Sequence, residues 1–147
     1  MQRVREARVS VAGEVVGSIG RGLCVLLGVA ASDSPDEADL LSRKIVGLRV
    51  FDDDAGQMNR AIDDVGGSLL VVSQFTLHAD CRRGRRPSFA AAAAAPLAQV
   101  LYDRFVAAAR ASHVPVETGR FQAHMDLALV NDGPVTIVLD TTELRAA

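Results

Sequence analysis

Two short segments of this chain carry residue types that suit a polar site on a rigid sheet. The first, Ser73-Gln74-Phe75-Thr76, closes an apolar run over 69–72 that is typical of a buried strand. The second, Asn131-Asp132-Gly133-Pro134-Val135-Thr136, lies between two apolar runs near the C-terminus. Hydroxyl and amide groups at a strand end, and a Gly-Pro turn between strands, are both suited to polar recognition.

Thr76 has the hydroxyl group that a nucleophile requires. A threonine hydroxyl attacks only when a base lies beside it, and the nearest candidate base, His78, would need a suitable loop geometry. Threonine is also common in strands because its branched side chain packs well there. Catalysis and plain strand structure therefore both stay open for Thr76.

The Gly133-Pro134 turn is the second candidate. An X-Pro bond adopts the cis form at modest cost, and such a turn would direct backbone carbonyl groups away from a strand ladder. Those carbonyls would accept hydrogen bonds from an ammonium group or block a side chain. The alternative is an ordinary Asn-Asp-Gly-Pro turn without function.

A basic cluster stands out against a formal net charge of -2 for the whole chain. It consists of Arg82, Arg83, Arg85 and Arg86. A local basic spot on a mildly acidic protein favours a partner with a small anionic part over a long nucleic-acid track, so we expect no DNA partner. The alternative is a solvated basic loop without a ligand.

Metal and cofactor sites are not indicated. The three histidines, His78, His113 and His124, share no ligand spacing, and neither Cys24 nor Cys81 has a second ligand near it. We expect Cys24 to be a small buried apolar residue, whereas Cys81 lies among arginines. The sequence therefore predicts no metal, no disulfide and no cofactor.

Length and composition indicate one globular domain over 1–147. The chain has 147 residues, of which 49% are hydrophobic and 23% charged, as in ordinary soluble proteins. No apolar stretch approaches the roughly 20 residues of a membrane span, and no signal peptide is visible. We expect a cytoplasmic protein without a membrane partner.

The apolar pattern predicts more strands than helices. Ser34, Pro35 and Glu37 supply an N-cap, a first-turn proline and a capping box for one helix, and Pro96 begins a second. The alanine run 90–95 before Pro96 is expected to carry no chemistry. Strands are expected at 4–11, 15–19, 23–29, 50–51, 69–75, 114–117, 127–130 and 135–139. We predict an α+β domain with a mixed or largely antiparallel sheet and two main helices.

At the Ser-Gln-Phe-Thr and Gly-Pro-Val-Thr segments the chain strongly resembles the bacterial type of D-aminoacyl-tRNA deacylase, long called D-tyrosyl-tRNA(Tyr) deacylase. This pair of motifs, in this order, is highly specific to that family. The similarity runs nearly end to end, and its other segments are 13–17, 20–23, 25–29, 56–59, 66–67, 84–89 and 117–121.

The resemblance implies a hydrolase that cleaves the ester bond of D-aminoacyl-tRNA, and also of glycine mischarged on tRNA(Ala). It implies an obligate homodimer with the deacylase-type fold, in which a cis Gly133-Pro134 turn of one subunit enters the pocket of the other. The Gly133 and Pro134 carbonyls would bind the substrate ammonium group and exclude L side chains. Arg3 and Asn131 would support that turn.

The same resemblance implies that Ser73, Gln74, Phe75 and Thr76 line the end of the pocket that holds the ester. The backbone N–H groups of Gln74 and Phe75 would stabilise the oxyanion, and the 2′-hydroxyl of the terminal adenosine would activate water.

Two further groups of residues would complete the site. Phe121 and Met125 would border the adenosine pocket, and the arginines from Arg82 to Arg86 would contact phosphates of the CCA end.

Two departures from the family pattern are visible. Gln122 stands where glycine or alanine is usual, so the pocket wall is expected to differ locally. Relatives usually have a few more residues before Gln2-Arg3-Val4, which predicts a shorter first strand or a different start codon. An animal deacylase type with a trans Gly-Pro bond is disfavoured by Ser73, Phe75 and Val135.

Two alternatives remain from other functional classes. One is a dimeric module that binds the tRNA 3′ end without turnover. The other is a hydrolase for small D-amino acid esters that does not recognise tRNA.

Overall fold

A computed structural model describes all 147 residues. The chain forms eight strands, three α-helices and two 3₁₀ turns. In chain order these are β1 (Gln2–Val11), β2 (Glu14–Ile19), β3 (Gly22–Leu27), α1 (Pro35–Gly47), β4 (Phe51–Asp52), β5 (Met58–Arg60), a 3₁₀ turn (Asp63–Val65), β6 (Ser68–Ser73), a 3₁₀ turn (Phe75–His78), α2 (Ala95–Ala111), β7 (Val116–Thr118), β8 (Asp126–Thr136) and α3 (Thr141–Ala146).

The main sheet has six strands and is organised around β1. One edge of β1 pairs antiparallel with β8, and the other pairs antiparallel with β3 near its start and with β2 further on. The strands β3, β6 and β7 run parallel to one another. Because β2 also approaches β6 and β7, the sheet is nearly closed. The predicted mixed sheet of an α+β fold is confirmed.

The strands β3 and β6 are buried on both faces. Leu23 and Leu69 face a core formed with the helices, which contribute residues such as Phe105 of α2. Cys24 and Leu70 face a second, smaller core against β1. Burial on both sides explains why these segments read as continuous apolar runs and not as alternating ones.

The helix signals at Ser34 and Pro96 are found in the structure. Helix α1 begins at Pro35, and the Glu37 carboxylate accepts hydrogen bonds from the Ser34 N–H (2.7 Å) and hydroxyl (2.5 Å). These bonds hold the pKa of Glu37 below its usual value. Helix α2 begins at Ala95, one residue before the proline. No helix in the structure is long and apolar enough to cross a bilayer.

Three predictions about elements were wrong. The run predicted as a strand over 69–75 ends at Ser73, and Phe75–His78 is a 3₁₀ turn closed by the Leu77 and Ala79 N–H groups. The two strands predicted at 127–130 and 135–139 are one strand, β8, that ends at Thr136. A third helix, α3, adds to the two predicted, and the Asp140 side chain caps it by accepting from the Thr142 N–H.

The two cysteines should differ sharply in reactivity. Cys24 is buried, and burial raises the pKa of its thiol to about 11, whereas Cys81 is exposed. Because the thiolate is the reactive form, a thiol reagent at pH 8 should modify one cysteine of the native protein and two after unfolding. Mass mapping of the modified residue checks this, and rapid labelling of Cys24 in the native state would contradict it.

Candidate functional site

A cavity of about 640 Å³ lies where β6 and β7 end and β8 begins. The strand ends place polar backbone and side-chain groups at its edge, while the start of α2 forms the opposite wall. It is lined by Val72, Ser73, Gln74, Phe75, Ala93, Ala95, Ala98, Phe121, Gln122, Ala123, His124, Met125 and Leu127. Three of the four residues of the first motif therefore meet both residues predicted to border an adenosine pocket.

The alanine run before α2 contributes to the wall of this cavity. Ala93 and Ala95 line it together with Ala98 of the first turns of α2. Small side chains at these positions leave the space open.

The backbone of Gln74 is fixed by the neighbouring strand. Its N–H donates to the Leu27 carbonyl at 2.9 Å, which extends the β3–β6 pairing beyond Ser73. The expectation that this N–H serves an oxyanion was therefore wrong, because it is already engaged. The Phe75 N–H opens a 3₁₀ turn, and the first N–H groups of a helical turn have no partner within it.

Thr76 stands apart from the cavity. It is exposed and does not line the wall, and its hydroxyl accepts a hydrogen bond from the Gln74 side-chain amide. His78 makes no hydrogen bond with it. The buried Nε2 of His78 has no hydrogen-bond partner, and the His78 ring lies against Gly28 in a different cavity. The structure thus provides no base for a Thr76 nucleophile.

The far wall is built on α2 and on the segment after β7. The Tyr102 hydroxyl donates to the Val71 carbonyl at 2.6 Å, and burial raises the pKa of this phenol to about 12. The Tyr102 ring packs against Phe121, with centroids 6.1 Å apart. Behind Met125, a Cβ at Gly119 would lie 2.7 Å from the Met125 sulfur. Because glycine has no Cβ, the Met125 side chain can lie against residue 119, which leaves the cavity open.

The Gly133-Pro134 turn forms an excursion from β8. Gln2 of β1 pairs with Thr136 of β8, and Val4 pairs with Asn131. A step of two residues along β1 therefore corresponds to a step of five residues along β8, and the additional residues form the turn. The Gly133-Pro134 peptide bond is cis, and Gly133 has φ +135°. Both residues are exposed and neither lines the cavity.

Arg3 and Asn131 brace this excursion from both sides. Arg3 is only 7% exposed, and its Nε donates to the Asp132 carbonyl at 2.9 Å. The Asn131 side chain accepts from the Val135 N–H at 2.7 Å and donates to the Val135 carbonyl at 3.1 Å. The turn is therefore held by side chains that act on its backbone.

The β4–β5 hairpin contributes a support that the sequence analysis missed. Arg3 Nη1 donates to the Val50 carbonyl at 2.8 Å and to Asp52 Oδ1 at 3.3 Å. Asp52 is the first residue of the acidic run Asp52-Asp53-Asp54, which by itself does not indicate this contact. Its role depends on a contact across 49 residues of chain, for which local sequence offers no signal.

The basic cluster lies on an exposed loop tied to the motif. The Phe89 ring contacts the Phe75 ring edge-on, with centroids 5.0 Å apart. Arg82 donates to Asp80 at 2.7 and 2.9 Å and thereby lowers the pKa of that carboxyl. Arg83, Arg85 and Arg86 are exposed and make no ion pair within the chain, so three of the four guanidinium groups stay available to an anion.

The fold and the cavity together define a class. This is a mixed-sheet α+β protein with a strand-end cavity of small-molecule size, no lining carboxylate, and a braced turn elsewhere on its surface.

Comparison with known proteins identifies the family within this class. The family described as D-Tyr-tRNA(Tyr) deacylase matches residues 1–140. A D-aminoacyl-tRNA deacylase of Chloroflexus aurantiacus is 59% identical over 145 residues, covering 99% of this chain and 91% of that protein. One of Symbiobacterium thermophilum is 58% identical over 141 residues, covering 96% and 93%. The chain belongs to the D-Tyr-tRNA(Tyr) deacylase family, and its predicted membership in this class of hydrolases is confirmed.

Two solved structures share the fold. One, described as the c-Myc DNA Unwinding Element Binding Protein, is 40% identical with a TM-score of 0.89 and covers 95% of each chain. The other, described as a probable eukaryotic D-amino acid tRNA deacylase, is 17% identical with a TM-score of 0.78 and covers 90% of this chain and 92% of that one. At that identity the second comparison concerns the fold alone.

Proposed function

We propose that this protein hydrolyses the ester bond of D-aminoacyl-tRNA, releasing the free D-amino acid and tRNA, and accepts glycine mischarged on tRNA(Ala). The observation that carries the proposal is the braced Gly133-Pro134 turn. A buried arginine and an asparagine hold an exposed turn that does not line the cavity of its own chain. Such support is expected of a turn that must fit a ligand site with little tolerance.

That site is the cavity of a second copy of the chain. In an obligate homodimer each turn enters the partner's cavity beside Ser73 and Phe75. The Gly133 and Pro134 carbonyls then accept hydrogen bonds from the substrate ammonium group. They occupy the space that an L side chain would need, whereas a D side chain or the hydrogen of glycine is accommodated.

The proposed ester hydrolysis requires little participation by side chains. The cavity has no lining carboxylate, and Thr76 has no base. An aminoacyl ester is already reactive, so positioning and oxyanion stabilisation suffice. In this proposal the Phe75 N–H donates to the developing oxyanion, and the 2′-hydroxyl of the terminal adenosine accepts the proton from the attacking water. Water adds to the ester carbonyl, and the 2′-hydroxyl passes its own proton to the 3′-oxygen as the bond between that oxygen and the acyl carbon breaks.

The deciding experiment is single-turnover hydrolysis of D-Tyr-tRNA and L-Tyr-tRNA with the intact protein. We expect rapid release of D-tyrosine and none of L-tyrosine above the spontaneous rate. Equal hydrolysis of both substrates, or of neither, would contradict the proposal. Tight binding of tRNA without release of D-tyrosine would instead identify a tRNA-end binding module.

The three unpaired arginines of the loop lead to a prediction about tRNA. Replacing Arg83, Arg85 and Arg86 by glutamine retains the Arg82–Asp80 ion pair that shapes the loop. Losing phosphate contacts should raise KM for D-Tyr-tRNA at least about 10-fold and weaken its salt dependence, while hydrolysis of D-tyrosyl-adenosine stays unchanged.

The matched control replaces two exposed arginines outside the loop, Arg43 of α1 and Arg49, by glutamine. It should leave both substrates unaffected. Unchanged KM for tRNA in the loop variant would favour a hydrolase of small D-amino acid esters. Because one fold relative is described as binding a DNA element, duplex DNA belongs in the same assay as a competitor, and we expect it to inhibit only weakly.

A further inference from the structure

Gln122 has an unusual backbone conformation at the cavity wall. Its φ is +63°, in the left-handed region that residues other than glycine rarely adopt. Its side chain is exposed, lines the cavity and makes no hydrogen bond within the chain. A residue held in this conformation with a free amide group points to a functional role.

The neighbours of Gln122 indicate what kind of ligand its amide meets. Phe121 presents an aromatic ring to the same cavity, and Tyr102 holds that ring from behind. The remaining polar side chain of this wall is His124, and no Asp, Glu, Lys or Arg lines the cavity. An uncharged, flat ligand with hydrogen-bonding edges suits this wall better than a phosphate does.

Adenine has that chemistry. A carboxamide offers one donor and one acceptor in a plane, and this matches the paired acceptor and donor on an adenine edge. Proteins that bind unpaired nucleotides commonly stack the base on an aromatic ring and read its edge with polar groups. Phe121 and Gln122 supply these two elements from adjacent positions.

We propose that Gln122 recognises the terminal adenine of the substrate through its side-chain amide, with the base stacked near Phe121. The inference rests on the proposed function, because it takes the cavity as the site of the aminoacylated nucleoside. It makes Gln122 a specificity-determining residue that acts on binding of the nucleoside and leaves the ester chemistry alone.

Binding and hydrolysis are measured separately to test it. Calorimetry with the non-hydrolysable D-tyrosyl 3′-amides of adenosine and cytidine should show roughly 10-fold tighter binding of the adenosine compound, as expected for a paired amide–adenine contact. In Gln122→Ala this preference should fall to nearly none. With D-tyrosyl-adenosine ester as substrate, the variant should show a raised KM and an unchanged kcat.

Two control variants distinguish the effect of the Gln122 side-chain amide from the effect of its backbone conformation. Gln122→Gly also removes the amide but relieves the left-handed conformation, so it should lose the adenine preference as Gln122→Ala does, while its Tm differs. His113→Gly relieves a similar φ of +67° at an exposed position away from the cavity and should leave the preference intact.

Three results would overturn the inference. They are equal binding of the two amides by the wild-type protein, an adenine preference that survives in both Gln122 variants, and its loss in His124→Ala but not in Gln122→Ala. None of these bears on whether D-tyrosyl esters are hydrolysed. The ester assay alone decides that point, so a failure of the inference and a failure of the proposed function are distinguishable.

Discussion

Replacing Arg3 by alanine should lower deacylation of D-Tyr-tRNA by roughly 100-fold or more, since misplacement of a substrate-positioning group by about 1 Å is enough for such a loss. Arg3 is the one side chain that joins the Gly133-Pro134 excursion to the β4–β5 hairpin. Its guanidinium donates to the Asp132 and Val50 carbonyls at 2.9 and 2.8 Å. Without it, the turn keeps the hydrogen bonds from Asn131 and an exposed ion pair between Arg5 and Asp132.

The variant should also be less stable, by about 2–4 kcal/mol, because two carbonyl groups lose a charged donor. Asp52 adds little to this figure, since its side chain is nearly half exposed and stays hydrated without Arg3. Urea unfolding gives the stability, and assays run well below the transition separate lost activity from lost fold. Arg3→Lys should be intermediate, because an ammonium group cannot reproduce the planar fork of donors.

Arg5→Ala is the matched control for this prediction. Arg5 is exposed, and its Nε lies 3.6 Å from the Asp132 carboxylate, so it touches the same turn residue from the solvent side. An exposed ion pair of this kind contributes about 0–1 kcal/mol. Arg5→Ala should therefore keep nearly full activity. If Arg5→Ala and Arg3→Ala were equally impaired, the buried bracing network would not be what matters.

Local signals were enough to predict the start of α1. The cap at Ser34 involves residues three apart, and its bonds form wherever that helix forms. The same reasoning could have found α3, because Asp140 and Glu143 stand at capping-box spacing and Asp140 caps the helix. The strand predicted at 135–139 ends just before Asp140, and no element was predicted after it.

The end of β6 could not be predicted in this way. Apolar Phe75 and Leu77 alternate with polar neighbours, which is also the pattern of a half-buried strand. What ends the strand is tertiary: β3 stops at Leu27, whose carbonyl binds the Gln74 N–H. The consequence reaches the site, because this bond engages an N–H group that had been assigned to catalysis.

Sequence patterns also could not predict which side chains hold the Gly133-Pro134 turn in place. Arg3 and Asp132 are separated by 129 residues. They meet only because β1 pairs with β8 and the additional residues of β8 form the turn beside Arg3. The sequence singled out the turn, and the family resemblance named Arg3. Asp52 joined them only through the three-dimensional arrangement of the β4–β5 hairpin.

Replacing Gly133 by alanine should lower deacylation by roughly 100-fold with little loss of fold. At φ +135° alanine is strained. Its Cβ would lie 2.8 Å from Val135 Cγ2 and 3.2 Å from Arg3 Nη2, so the turn must shift. Because Gly133 is exposed, thermal unfolding should change by only a few degrees.

A subunit-mixing experiment tests whether the turn acts across the proposed dimer. Ala98→Trp fills the cavity from α2 and leaves the turn intact, whereas Gly133→Ala has the opposite defect. Each homodimer should be nearly inactive. Co-refolding equal amounts should restore about a quarter of wild-type activity, since about half of the dimers are mixed and each of these has one intact site. Purified mixed dimers without activity would show that turn and cavity do not cooperate across subunits, because each mixed dimer joins one unaltered turn to one open cavity.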